Sequence, residues 1–121
     1  MQIRTIKKNG IEIAVVNSKE ILISDVQSAL DFMVTVQYET GCNRIILYKS
    51  AIGEDFFHLS TKIAGDILQK FVNYRIKLAI IGDFSTYISE SMKAFILECN
   101  RGKDIFLLPD EEKTAEKLST V

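Results

Sequence analysis

The chain has 121 residues, 47% hydrophobic and 26% charged, a globular composition long enough for one domain, 1–121, with a buried core. Its formal charge of −1 is spread without like-charge blocks, which argues against nucleic acid or an acidic membrane surface as a partner. The opening MQIRTIKKNG lacks the apolar core of a secretion signal, no apolar run reaches the roughly 20 residues of a membrane span, and Cys42 and Cys99 fall outside any C-x-x-C pattern. Together these features predict a cytoplasmic location, with no membrane partner.

QIRTIKKNGIEIAVV reads as two short strands, residues 1–6 and 11–16, joined at Asn9-Gly10. That dipeptide tolerates positive φ at both turn positions and is the strongest short hairpin signal. From Ser24 the period becomes helical through Val26, Leu30, Met33 and Val34. Ser24 with Gln27 forms a predicted capping box, and Gly41 a predicted stop. RIILY, 44–48, is a continuous apolar strand. After a loop, Ile63, Ala64, Ile67, Leu68, Phe71 and Val72 share one helix face. IKLAII, 76–81, is a second apolar strand. In SESMKAFILECNRG, Met92, Phe95, Ile96 and Cys99 point inward, and Gly102 ends the helix. DIFLL, 104–108, is stopped by Pro109, and DEEKTAEKLSTV begins a last helix with acids that suit its positive end. The predicted core includes Phe56, Ile63, Ile67, Phe71, Ile80, Phe95 and Ile96.

The order is β-β-α-β-α-β-α-β-α. Apolar strands alternating with helices predict an α/β fold with a mostly parallel five-stranded sheet, its first strand antiparallel at one edge. This order resembles the anti-sigma-factor-antagonist (STAS) fold, a right-handed β/α superhelix with a leading hairpin. The segment from VQSALDFMVTVQYETGCNRIILYKS through AIGEDFFHLSTKIAGDILQKF to VNYRIKLAIIGDFS also resembles a bacterial family known as a domain of unknown function (DUF4180). The STAS resemblance implies a phosphorylatable serine where the loop after the third strand enters the second helix. Here that place reads Glu54-Asp55-Phe56-Phe57-His58, with phenylalanines at the serine positions. The usual phosphoacceptor is therefore missing, and Ser60 or Thr61 is expected to cap the following helix.

No phosphate-cradling glycine loop occurs, and no cofactor is expected. One histidine beside two acids does not complete a metal shell or a nucleophilic triad, so no metal site and no catalytic residue is assigned. After the second apolar strand, IIGDFSTYISES offers Asp83, Ser85 and Tyr87 as ligand contacts; the competing reading is an Asp83–Ser85 turn, with Ser89 or Ser91 capping the next helix. Two functions follow. The first is a non-enzymatic protein-interaction or regulatory module with an unidentified protein partner, self-association being a further option. The alternative is a small-ligand-binding domain or small enzyme using a rim of Lys49, Glu54, Asp55, His58 and Asp83. Each of these residues follows the carboxyl end of a strand, where α/β sheets bind ligands.

Overall fold

In the computed structural model, which describes residues 1–121, Asn9 and Gly10 sit at φ 52° and 80° and turn β1 (Gln2–Lys8) back onto β2 (Ile11–Asn17). Both turn positions lie in the left-handed region, so the twist of the turn matches that of the flanking strands. The chain continues through α1 (Val26–Thr40), β3 (Arg44–Tyr48), α2 (Ile63–Asn73), β4 (Lys77–Ile81), α3 (Glu90–Arg101), β5 (Ile105–Leu108) and α4 (Glu111–Ser119). The strands lie side by side in chain order, β1-β2-β3-β4-β5. The β1–β2 pair is antiparallel and the other pairs are parallel. The expected element order and sheet are those observed.

Sequential strand order has a direct consequence. Right-handed crossovers that all step the same way leave their helices on one face of the sheet. That face holds the larger core, where Ile45, Leu47, Leu78 and Ile80 meet Phe32, Val36, Ile67 and Phe71. The opposite face is smaller: Ile13, Val15, Ile46, Ala79, Ile81 and Phe106 pack under Ala115 and Leu118 of α4. Buried side chains on both faces explain why β3 and β4 read as continuous apolar strands, and why β2 does so over residues 13–16. No helix is long and apolar enough to cross a membrane.

Several local expectations shift. The N-cap of α1 is Asp25, whose carboxylate accepts from the Ser28 amide at 2.8 Å, while the Ser28 hydroxyl accepts from the Asp25 amide at 3.0 Å. The capping box therefore lies one residue beyond Ser24 and Gln27, and Ser28 takes the place of the usual longer acceptor. Gly41 closes α1 at φ 71°. Val72, expected inside, is 41% exposed. It lies in the last turn of α2, where the apolar stripe has rotated past the edge of the core. Ile63, Phe95, Ile96 and Cys99 are only partly buried against the main core, whereas Phe56, Ile67, Phe71, Ile80 and Met92 are buried. The partial burial on α3 follows from its position over β5, the last strand, with no further element beyond it. Partial desolvation, with a smaller contribution from Glu98, pushes the Cys99 thiol up to about 11.

The two sheet edges differ. At β5 the Asn100 side chain donates to the Leu107 carbonyl at 3.0 Å and accepts from the Leu107 amide at 2.8 Å. One amide side chain thus occupies main-chain groups that would otherwise be open to another strand.

Candidate functional site

Because β3 and β4 pair in parallel with Tyr48 beside Ile81, the segments that follow them leave the sheet side by side. The β3 exit runs through three short 3-10 turns, Lys49–Ala51, Glu54–Phe57 and Leu59–Thr61. The β4 exit runs through Gly82, an Asp83–Ser85 turn, and Ser89, which caps α3 by accepting from the Met92 amide. The exits touch closely. A Cβ on Gly82 would stand 2.6 Å from Lys49 Cβ and 2.9 Å from its Cδ, so only glycine leaves room for the lysine stem.

That stem carries the Lys49 ammonium to 5.1 Å from the centre of the Phe57 ring and 5.0 Å from that of Tyr87. The two rings stack at 5.4 Å, and Phe84 lies tilted against both. A cation near two ring faces is attracted by their negative quadrupoles. The Tyr87 hydroxyl then donates to Glu54 Oε1 at 3.2 Å. Asp83 accepts from the Ser85 amide at 2.9 Å and from its hydroxyl. Those bonds, helped less by the Lys49 charge, hold its carboxyl below the usual carboxylate range.

Lys49, Glu54 and Asp83 line one open cleft of about 530 Å³, together with Tyr48, Ser50 and Gly82. His58 is exposed on a separate cleft of about 490 Å³, beside Ser60, Ser89 and Ser91. Asp55 is exposed and lines neither. The five-residue rim is thus brought together in three of its members. His58 and Asp55 diverge because the chain turns twice in 3-10 geometry between Glu54 and Thr61.

The entrance to α2 also differs from expectation. Lys62, at φ 64° and without a capping oxygen, precedes the helix. Thr61 acts from one position earlier. Its hydroxyl donates to the His58 carbonyl at 2.7 Å and accepts from the Ile63 amide at 3.3 Å. Ser60 is exposed. Phe56 and Phe57, at the places of the switch serines, are 1% and 3% exposed and meet edge to face.

Two groupings escaped the sequence reading. One is the ring set of Phe57, Phe84 and Tyr87, drawn from two separate loops. Its visible signal was an aromatic residue following each strand exit. The other lies on the opposite face, where Arg4 and the Tyr48 hydroxyl, at 2.7 Å, both donate to Glu111 Oε1. Hydrogen bonding to Glu111 pushes the Tyr48 phenol up, and the Arg4 and Tyr48 bonds hold Glu111 low. These residues come from β1, β3 and α4, and no spacing links them.

No three His, Cys, Asp or Glu side chains gather as a metal shell. No curated protein and no solved structure matches the chain, so the likeness to the STAS switch domains rests on element order. A family model described as a domain of unknown function (DUF4180) matches residues 8–118, nearly the whole chain, and the chain belongs to that family.

Proposed function

We propose that the chain is a non-enzymatic interaction module that meets a protein partner with the loops at the carboxyl end of its sheet. The observation that carries this reading is the mutual engagement of the charged groups there. Lys49 rests on two rings, Glu54 holds the Tyr87 hydroxyl and Asp83 holds Ser85. A general base needs a lone pair free to take a substrate proton; here Glu54 and Asp83 each commit a carboxylate oxygen to a neighbouring hydroxyl, which stiffens the surface. Two exposed aliphatic residues flank it: Ile21 on the cleft wall and Ile88, 79% exposed, beside Tyr87. Apolar anchors set in a polar, rigid rim are the anatomy of a binding patch.

A second reading, a small-ligand site, draws on the cleft itself, whose volume suits a small molecule and whose walls bear one ammonium and two carboxylates. Capture from a lysate of the source cells separates the two. The immobilised proteins are wild type, Ile88→Asp, Ile21→Asp, and Tyr38→Asp as a control at a 90% exposed position on α1. The interaction reading expects a protein retained by wild type and control and lost with both rim variants. Identical retention on all four refutes it. A small molecule whose thermal stabilisation of the protein disappears in Asp83→Asn would establish the second reading instead.

A further inference from the structure

At the edge opposite β5, no hydrogen bond from elsewhere in the chain closes the main chain of β1. In an antiparallel pair closed by a two-residue turn, the residues flanking the turn exchange both hydrogen bonds, and bonded pairs alternate from there. With Lys8 opposite Ile11, the residues of β1 that bond to β2 are Lys8, Ile6, Arg4 and Gln2. Ile3, Thr5 and Lys7 therefore aim their amides and carbonyls away from the sheet. No turn, cap or loop bond from elsewhere in the chain reaches the main chain of β1. Thr5 and Lys7 are exposed, and the strand runs seven residues without proline or bulge. Natural sheets usually blunt such an edge. Here Asn100 occupies the main-chain groups of β5, whereas on β1 only the cations Arg4, Lys7 and Lys8 guard the edge and its outward amides and carbonyls stay open.

The side chains point to the occupant. Arg4 and Lys8 lean onto the α4 face, where they pair with Glu111 and Glu116. Ile3 leans onto the larger core, so the odd positions face the other way. If a second β1 runs antiparallel about a two-fold axis at Thr5, Thr5 opposes itself, Ile3 opposes Lys7, Arg4 opposes Ile6 and Gln2 opposes Lys8. Every outward amide and carbonyl then has a partner, and no charge stands directly opposite a like charge. Arg4 is diagonal to the Arg4 and Lys8 of the other copy, with Glu111 and Glu116 beside them as counter-charges. The neighbouring registers fail this condition. A shift one way sets Arg4 against Arg4, and a shift the other way sets Arg4 against Lys8. Like charges directly opposite destabilise a strand pair, whereas Thr–Thr and aliphatic pairs support one.

We infer that β1 is a self-association edge, and that two copies of this chain join through it, centred on Thr5, into one continuous ten-stranded sheet. The interface is isologous and closed, because each copy has one open edge. It lies on the first strand and is independent of the loops at the carboxyl end of the sheet.

Sedimentation and amide exchange of the whole chain, from micromolar to millimolar concentration, test this. The mass should double as concentration rises. In parallel the amides of Ile3, Thr5 and Lys7 should slow roughly tenfold or more, while those of Arg4, Ile6 and Lys8 are protected throughout. Thr5→Pro removes an outward amide that β2 does not use, so the variant should keep its circular dichroism and remain monomeric. A single-chain mass at millimolar concentration overturns the inference, as does a dimer in which those three amides exchange at unchanged rate, or a Thr5→Pro dimer. If Thr5→Pro does not fold, the wild-type exchange pattern decides. Protection of these amides only when an acidic peptide is added would assign the edge to another chain and likewise overturn it.

Discussion

Replacing Gly82 with alanine puts one methyl group where the Lys49 stem passes. The new Cβ would lie 2.6 Å from Lys49 Cβ, an atom fixed by the main chain of the β3 exit and unable to swing aside. The ends of β3 and β4 must part, and overpacking of this kind costs about 1–3 kcal/mol. Displacing the Lys49 ammonium from Phe57 and Tyr87 adds about 0.5–1 kcal/mol. The lower entropy of an unfolded chain with alanine in place of glycine offsets about 0.4–1 kcal/mol, leaving a net loss near the cost of the clash. With an unfolding entropy of about 2.1 cal/mol/K per residue, each kcal/mol shifts the melting temperature of a chain this long by about 4 °C. Thermal melts should therefore show a drop of about 4–12 °C. The decisive comparison is the same substitution in a Lys49→Gly background, where no Cβ remains to meet. There its penalty should fall below about 0.5 kcal/mol, because the two changes share one contact. An equal loss in both backgrounds would refute the close approach of the two strand exits.

Phe71→Ala should lower stability by about 3–5 kcal/mol in urea titrations, while the adjacent Val72→Ala stays within about 0.5 kcal/mol; comparable losses would mean that the buried face of α2 is misplaced. Thr61→Ala should cost about 1 kcal/mol, and Thr61→Asp at least as much, because a carboxylate cannot donate to the His58 carbonyl. Thr61→Ser should restore the wild-type melt, and a stabilising aspartate would restore a simple N-cap at this position. Glu111 is held below its ordinary value of 4.5 by Arg4 and Tyr48, so its contribution is complete above that value and is lost as pH falls through the folded one. Glu111→Gln should be less stable than wild type at pH 7, and the gap should narrow once the pH falls below 4.5 and close below the folded value; parallel profiles would exclude the contribution.

What the sequence disclosed was local or strongly periodic. Asn9-Gly10 specified a hairpin because its φ requirement is met within two residues. RIILY and KLAII were legible because both faces of a central strand are buried, which leaves no polar residue to blur the run. The last turn of a helix is less legible. Val72 fits the apolar face of α2 by spacing, but its burial depends on how far the neighbouring core extends. The cap of α1 went to Asp25 in place of Ser24, since both offer an oxygen and only the three-dimensional entry angle chooses between them. The site was the least legible of all. Lys49 and Gly82 are 33 positions apart and meet only because β3 and β4 align Tyr48 with Ile81. His58 appeared to belong with Glu54 until two 3-10 turns sent it to another cleft. Arg4, Tyr48 and Glu111 come together through register and helix docking, which no local pattern encodes.

The uneven covering of the sheet has a kinetic consequence. Three helices bury the larger face, but the smaller face depends on α4, which contributes only Thr114, Ala115 and Leu118 as buried residues. The rest of its hold is mostly polar and at most part-buried: Glu111 to Arg4 and Tyr48, Glu116 to Lys8 and Asn9, Ser119 to Asn9, the Leu118 carbonyl to Arg44, and Lys117 over the Phe106 ring. Such a unit opens at lower free energy than the strands beneath it. Amides of α4 should thus exchange through a partial opening that leaves the rest of the sheet intact, and protease should cut first near Pro109. In that opened form Val15, Ile46 and Ala79 stand bare on adjacent strands, an apolar sheet surface exposed without global unfolding. The aggregation tendency of this chain would then follow the lifetime of the docked last helix more closely than the stability of the whole fold.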